Sequence, residues 1–133
     1  MNCLVPRILR GMTDGYFVNI GNAEDTSALL TEFDWEGLYI DNIDRPLNNI
    51  MESHHAPTII HYLTIHEEID AVTHLGQFFA DANNKIGWKR RPIIIRFLSQ
   101  YNTKELMDKY HYTLVDYEGN YNYYIHSIWD CLV

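Results

Sequence analysis

Residues 15–23 are GYFVNIGNA, and this stretch decides the fold. Its aromatic and β-branched centre favours a short strand. Gly21 ends that strand, because glycine interrupts regular structure, and Asp25 with Thr26 can then cap a helix that runs to about Phe33. A strand, a glycine turn and a helix in this order are typical of the first unit of an α/β fold.

The same alternation continues along the rest of the chain. Further strands are predicted at 37–41, 58–65, 92–97, 112–115 and 121–126. Further helices are predicted from Pro46 through Met51, over 67–82, and from about 102 through Met107. The run at 92–97 is the most continuously apolar and is typical of a buried central strand. The pattern predicts one α/β domain over residues 1–133, with a mostly parallel sheet and an antiparallel C-terminal hairpin.

Composition narrows the possible partners. The chain has 133 residues and a net charge of −8, which repels nucleic acid and anionic membrane surfaces. The one basic cluster, residues 89–91 (KRR), is interpreted as a solvated loop before a strand. No apolar stretch is long enough to span a membrane, and residues 1–10 lack the apolar core of a signal peptide. We therefore expect no nucleic-acid partner, no membrane partner and a cytoplasmic location, or a virion-associated one if the protein is viral, with Cys3 and Cys131 either paired or free.

Motifs for metal and nucleophilic chemistry are missing from the sequence. Imidazole and carboxylate groups are concentrated in one stretch, which would suit a transition metal; they are His54, His55, His61, His66, Glu67 and Glu68. However, the chain has no H-E-x-x-H and no C-x-x-C, so no metal site is predicted. It also has no G-x-S-x-G, no P-loop and no G-x-G-x-x-G.

Several stretches, taken in order, resemble the FkbM-type family of S-adenosylmethionine-dependent methyltransferases. Residues 15–23 are similar to the family's opening G-x-F-V-D-I-G-A-N, and residues 35–42 (WEGLYIDN) to its G-W-x-G-L-x-I-E-P. Residues 47–57 (LNNIMESHHAP) and 60–68 (IHYLTIHEE) look like its T-L-x-D-L-L-E-x-x-x-A-P and I-D-Y-L-S-L-D-x-E-G. Residues 104–115 and 121–125 match its late helix and last strands. The resemblance covers about residues 15–126.

The resemblance implies a Rossmann-like methyltransferase sheet that binds S-adenosylmethionine and methylates a hydroxyl, with a sugar as the implied acceptor. By this resemblance Gly21 lies in the cofactor loop, and Asp41 accepts the ribose hydroxyls. Asn19 stands where the family has an acid near the cofactor's amino group. His66 and Glu68 stand at the family's acidic pair, which serves the acceptor or a metal, and they are the implied catalytic residues. Ordinary turn, strand-end and helix-capping roles remain open for these positions.

The chain also departs from the family pattern. Only residues 42–46 separate the second-strand acid from the next family segment, which is too short for another parallel strand. The sheet is therefore expected to be truncated after the second strand, so that a partner would complete the adenine wall. A second hypothesis is an inactive methyltransferase-fold module for protein interaction or assembly, as in a viral structural component. Its contacts, with a protein partner or a second copy, are predicted at Tyr121, Tyr123 and Trp129.

Overall fold

The structure is a computed structural model that describes residues 9, 12–21, 26–57, 59–66, 71–84, 92–98 and 104–126. The strands are β1 (Tyr16–Ile20), β2 (Glu36–Ile40), β3 (Tyr62–Ile65), β4 (Ile94–Leu98), β5 (Tyr112–Glu118) and β6 (Tyr121–His126). The helices are α1 (Ser27–Glu32), α2 (Leu47–Ser53), α3 (Ala71–Asn84) and α4 (Lys104–Lys109). Strands and helices alternate until β5, which confirms the predicted α/β class.

All six strands form one mixed sheet in the order β2-β1-β3-β4-β6-β5. Strand β1 pairs in parallel with β2 and β3, and β3 pairs in parallel with β4. Strand β6 runs antiparallel to both β4 and β5. The chain therefore leaves β1 towards β2 and later returns to the other side of β1, where β3 lies.

The larger core lies on the face of the sheet covered by α2, α3 and α4. Helix α3 shows why it packs there: Leu75, Phe78 and Phe79 are buried on one side, while Thr73 and Gln77 are exposed on the other. These apolar side chains join those of α2 and the alternate residues of the central strands. Burial of such a stripe is the main source of helix stability in a domain of this size.

The smaller core lies on the opposite face, where the described helix is α1. Leu29 of α1 packs there with Phe17, Trp35 and Tyr62. The side chains of Ile94, Tyr123 and Ile125 extend the same cluster across β4 and β6. Successive side chains of a strand alternate between faces, so each central strand contributes to both cores.

Glycines at the amino end of the sheet make room for two aromatic rings. A Cβ on Gly37 would lie 2.1 Å from Cζ of Phe17, which pairs with it across β1 and β2. A Cβ on Gly15 would lie 2.4 Å from Cε2 of Trp35. Both rings are almost fully buried, so they cannot swing away. Glycine is required at both positions by packing.

Several predicted boundaries differ from the structure. The predicted strand 58–65 is shorter, because pairing in β3 begins only at Tyr62 and Ile59 is 56% exposed. Strand β5 is longer than the predicted 112–115, because its pairing with β6 continues through a bulge between Leu114 and Asp116 to the hairpin turn. The ends of β1 and β6 are as predicted.

The predicted capping of α1 by the Thr26 side chain is wrong, and Asp25 lies outside the described residues. Thr26 occupies the N-cap position, but its side chain makes no capping hydrogen bond. Its hydroxyl is engaged by strand residues instead: it accepts from Asn19 and donates to Tyr39. A buried strand amide next to the helix therefore competes successfully for the capping group.

Some predicted features lie outside the described residues: Glu67, Glu68, the basic cluster 89–91, Trp129, Cys3 and Cys131. In the part of the chain that the structure describes, the longest helix has 14 residues. No helix there combines the length and the apolar character needed to cross a membrane.

Candidate functional site at the carboxyl ends of the parallel strands

Three of the sequence-predicted site residues lie side by side just beyond β1, β2 and β3. Gly21, Asp41 and His66 each follow the last residue of one of these parallel neighbours. The Gly21 N–H donates to the Ile40 carbonyl at 2.8 Å, and the His66 N–H donates to the Ile20 carbonyl at 2.8 Å. These bonds extend the ladder by one residue and fix the relative positions of the three loops.

Gly21 is required here by its backbone and by its neighbour. Its φ is +97°, a conformation that residues with a Cβ rarely adopt. A Cβ at this position would also lie 2.4 Å from the Cβ of His66. The loops after β1 and β3 are therefore in close contact, and the half-buried imidazole of His66 lies beside Gly21.

Asp41 presents an exposed carboxylate at the end of β2. The last strand residue, Ile40, is buried and anchors this end of the strand. A carboxylate in this position can accept two hydrogen bonds from a diol, as in dinucleotide-binding folds. The geometry is therefore compatible with the ribose role that the resemblance implies.

Asn19 lies one residue before the end of β1 and is completely buried. Its Nδ2 donates to Thr26 Oγ1 at 2.8 Å, and Thr26 Oγ1 donates to the Tyr39 hydroxyl at 3.3 Å. Its Oδ1 has no hydrogen-bond partner among the described residues. A neutral amide can be buried here at much lower cost than the carboxylate that the family carries. Asn19 Oδ1 is therefore a buried hydrogen-bond acceptor near the end of β1.

Asn19 belongs to a row of polar residues that crosses the whole sheet. The paired positions, from β2 to β5, are Tyr39, Asn19, Thr64, Arg96, Tyr123 and Asp116. We call this set the polar row. Paired residues point to the same face, which here is the face of α1. The preceding row on that face is aromatic or aliphatic between its two ends; its members are Gly37, Phe17, Tyr62, Ile94, Ile125 and Thr113. On this face of the sheet, polar side chains are therefore concentrated near the carboxyl ends of the parallel strands.

Arg96 is the cation of the polar row. It is half-buried on the central strand β4, and its Nη1 donates to Thr64 Oγ1 at 3.0 Å. Its Cζ lies 3.7 Å from the centre of the Tyr121 ring and 5.9 Å from that of Tyr123. The sequence pattern predicts an apolar strand at 92–97 and does not single out Arg96 as a site residue. An arginine within such a run is the signal that could have revealed it, because a charge on a core strand is costly without a purpose or partner.

The two described tyrosines that were expected to form a contact surface are buried or half-buried in the fold. Tyr123 is completely buried, and Tyr121 is half-buried beneath the Arg96 guanidinium. The exposed apolar groups at this edge belong to β5 instead: Leu114 is 48%, Val115 40% and Tyr117 71% exposed. Strand β6 lies inside the sheet, between β4 and β5, so its tyrosines are buried or half-buried. Strand β5 lies at one edge of the sheet.

The histidines do not converge. His61 precedes β3 and His66 follows it, so they lie at opposite ends of one strand, and His54 and His55 are exposed after α2. Within the described ranges, no three His, Cys, Asp or Glu side chains are grouped so that they could hold a metal ion. His61 is used structurally: its Nδ1 accepts from the Tyr16 N–H at 3.0 Å, and its ring contacts Trp35 edge-on.

Two shallow cavities lie at the opposite, amino end of the sheet. One has a volume of about 350 Å³ and is lined by Asp14, Asp34, Glu36 and His61 among others. The other, of about 660 Å³, is lined by Leu30, Trp35, His54 and His55 among others. We place the functional site at the carboxyl end instead. Ligands of open α/β sheets bind beyond the carboxyl ends, where the direction of strand order reverses, which here is between β1 and β3.

Comparison with known proteins adds no relative: no family model, no curated protein and no solved structure matches this chain. The interpretation of the site therefore rests on its residues and their geometry.

Proposed function

We propose that the chain is a divergent methyltransferase-like domain that binds S-adenosylmethionine across Gly21, Asp41 and His66 and methylates a hydroxyl group. The observation that carries the proposal is the junction of β1, β2 and β3, where these residues meet at the reversal of strand order. Bound S-adenosylmethionine supplies an electrophilic methyl group, so the protein has only to bind and orient the reactants.

The strand order supports this proposal. The dinucleotide-binding sheet has the order 3-2-1-4-5-6, with the ligand at the junction of strands 1 and 4. Removal of its third strand, with renumbering, gives an order that begins 2-1-3-4, as observed in this chain. The short connection from Asp41 to Pro46 is where the sequence resemblance expects the missing strand.

Two features support the cofactor site. Asp41 offers an exposed acceptor for the ribose diol, and Gly21 brings the turn after β1 against His66 at the junction of the strands. His66, beside Gly21, is the described residue that can accept a proton from an acceptor hydroxyl. The substrate class, a hydroxyl of a sugar, comes from the family resemblance.

The direct test is isothermal titration calorimetry with S-adenosylmethionine and S-adenosylhomocysteine. We expect micromolar binding to the natural chain and roughly ten- to a hundredfold weaker binding to Asp41→Ala, because a hydrogen-bonded charged acceptor contributes roughly 1.5–3 kcal/mol. Asp44→Ala is the matched control, since Asp44 is also exposed and lies only three residues further on. No heat at millimolar cofactor, or equal binding by Asp41→Ala, would contradict the proposal.

A second candidate function is an interaction module, and the exposed Leu114, Val115 and Tyr117 on the edge strand β5 favour it. An unprotected edge strand can pair with a strand of another chain. Light scattering over a concentration series tests this candidate with a second copy as the partner. A dimer that Tyr117→Asp disrupts would support it, whereas a monomer at all concentrations would contradict it.

A further inference from the structure

Strand β2 forms one edge of the sheet and is paired on one side, with β1. The Glu36 N–H donates to the Gly15 carbonyl at 3.0 Å, and the Ile40 carbonyl at the other end of β2 accepts from the residue after β1. In a parallel pair, successive residues of a strand direct their backbone groups to alternate sides. The N–H and C=O groups of Gly37 and Tyr39 therefore point to the open side of β2.

The open side of β2 is accessible to another strand. Within the described ranges, no strand lies beside it, and no backbone hydrogen bond reaches the outward groups of Gly37 and Tyr39. Tyr39 is 41% exposed, and Gly37 has no side chain to cover its backbone. The strand contains no proline, lysine or bulge, which are features that commonly prevent edge strands from pairing. The open side of β2 can therefore accept an extended peptide, as the edges of other sheets do.

A cavity lies beside the amino-terminal half of β2. It is the cavity of about 660 Å³, and its lining includes Glu36 and Gly37 of β2 together with Leu30 and Trp35. Leu30 is 38% exposed, so the cavity has an apolar wall next to the outward backbone groups of Gly37. Where a peptide adds to a sheet edge, such pockets receive its side chains and provide specificity.

The charges around β2 define the chemistry of the peptide. Every charged residue from 32 to 44 is acidic and exposed; these residues are Glu32, Asp34, Glu36, Asp41 and Asp44. The whole chain also has a net charge of −8. Charge complementarity therefore favours a partner that carries lysine or arginine side chains beside its backbone.

The same charges disfavour a second copy of the chain at this edge. Two β2 strands paired antiparallel about Leu38 would place Glu36 of each copy at the end where Asp41 of the other lies. Like charges would then meet at both ends of the pair and repel. A basic segment of a different protein avoids this repulsion.

From these observations we propose that the open side of β2 is a docking site for an extended, basic segment of a partner protein, which adds to the sheet as a further strand. The backbone groups of Gly37 and Tyr39 bind the segment, and the surrounding carboxylates select its charge. Docking of a segment does not require methyl transfer or a bound cofactor. Cofactor binding and segment binding are separate measurements, so either proposal can fail alone.

The experiment is amide hydrogen exchange and chemical-shift titration of the nitrogen-15-labelled full chain. The probe is the end-blocked synthetic peptide KVKVKVK, in which lysine alternates with valine. In the free chain, the Gly37 and Tyr39 amides should exchange fast, whereas the Leu38 amide, which faces β1, should be protected. With KVKVKVK we expect saturable shifts of Gly37 and Tyr39 with a Kd of roughly 0.1–1 mM. Their exchange should slow at least about tenfold.

Two control peptides separate strand pairing from charge alone. EVEVEVE keeps the strand pattern but reverses the charge, and KPKPKPK keeps the charge but has proline in place of every valine, which disrupts strand pairing. Neither should protect Gly37 or Tyr39. The proposal is overturned if KVKVKVK gives no saturable change at millimolar concentration, if either control peptide protects these amides equally, or if the protection appears at β5 instead. Protection in the free chain that disappears on dilution would also overturn it, because a second copy would then occupy the edge.

Two substitutions of Tyr39 test the role of the backbone. Tyr39→Pro removes the outward N–H and Tyr39→Val keeps it, while both remove the ring. We expect Tyr39→Pro to bind KVKVKVK at least about tenfold more weakly than Tyr39→Val, with circular dichroism to establish that both variants fold. Equal binding by the two folded variants would overturn the proposal.

A charge substitution gives a test that does not depend on the proline variant. Glu36→Lys reverses a charge on β2, and Glu105→Lys makes the same change on α4, where the side chain is also exposed. Glu36→Lys should weaken KVKVKVK binding several-fold, and Glu105→Lys should leave it unchanged, because charges act most strongly on a partner beside them. Equal effects of the two substitutions would show that the acids around β2 do not select the partner, and would overturn the proposal.

Discussion

The two ends of the sheet differ in what they bury. At the amino end, aromatic rings press on glycine backbones, as Trp35 does on Gly15 and Phe17 on Gly37. At the carboxyl end, Gly21 and the polar row replace this packing with amide, hydroxyl and guanidinium groups. Apolar packing of that density stabilises a fold. We infer that the glycine–aromatic packing at the amino end stabilises the domain, and we propose that the carboxyl end carries its function.

The largest expected effect comes from a substitution that disrupts the packing at the amino end of the sheet. Gly37→Ala should destabilise the protein by about 3 kcal/mol, because the new Cβ would overlap the Phe17 ring and overpacking is costly in a rigid core. Urea unfolding followed by circular dichroism measures the change. Combination with Phe17→Leu should recover part of the loss, since the smaller side chain leaves space. Additive losses in the double variant would show that the two residues do not press on each other.

Gly76→Ala is the control for that prediction and should have the opposite sign. Gly76 lies inside α3, and its added Cβ would meet only Leu106 Cδ1 at 4.0 Å. Alanine in a helix interior is favoured over glycine by roughly 0.5–1 kcal/mol. The same unfolding experiment should therefore show a more stable protein.

At the carboxyl end, Gly21→Ala should cost about 2 kcal/mol, the sum of backbone strain at positive φ and collision with His66. Gly119→Ala is the reference without a collision, because Gly119 has a φ of +60°, within the left-handed region that L residues can adopt, and no atom lies within 4 Å of its added Cβ. It should cost about 1 kcal/mol, from strain alone. Equal losses in the two variants would contradict the close contact between the loops after β1 and β3.

The pH dependence of stability reports on His61 at the amino end. Burial lowers the pKa of His61 below its ordinary value of 6.5. As the pH falls below about 6.5 the unfolded chain takes up this proton first, so the unfolded state binds more protons and stability decreases until the folded imidazole also titrates. Protonation also replaces the Nδ1 acceptor, which the Tyr16 N–H needs, by a donor.

Unfolding free energies measured between about pH 7 and 5 test this prediction. His61→Asn keeps an acceptor near the same position without a titrating group, so its stability should fall less over this range than that of the natural chain. A natural chain and His61→Asn variant with the same pH profile would show that His61 does not contribute to it.

The smallest expected effect on stability is that of a substitution at the carboxyl end of the sheet, in the proposed site. Asp41→Ala should change the unfolding free energy by less than about 0.5 kcal/mol, because exposed positions without special contacts tolerate substitution. Thermal unfolding is sufficient to check this. A large loss of stability would mean that Asp41 supports the fold, and a loss of ligand binding in the same variant could then not be attributed to a site.

Local pattern was enough to predict much of the fold. The β-branched and aromatic run at Tyr16–Ile20 and the tyrosine-rich Tyr121–His126 were located to the residue, because each is bounded by turn residues. Pairing limits were harder, as for β3, where an apolar run continues before the strand begins. Whether a residue joins a ladder depends on its neighbour in space, which the sequence of one strand does not specify.

The site was predicted in part, for a similar reason. Gly21, Asp41 and His66 follow strand ends, and the carboxyl ends of parallel strands meet at one edge of a sheet, so their proximity follows from local pattern. The polar row combines one residue from each of six strands, and this depends on register across the sheet. Because burial also depends on register across the sheet, Tyr123, which was expected at a contact surface, lies inside the smaller core.

One measurement tests the central claim, that the carboxyl end is the functional end. Amide chemical shifts of the nitrogen-15-labelled chain are recorded during a titration with S-adenosylhomocysteine. The account predicts saturable shifts at Gly21, Asp41 and His66, with Gly15, Trp35 and His61 unchanged. Shifts confined to the amino-end residues, where the two cavities lie, would contradict it, and so would the absence of any saturable shift.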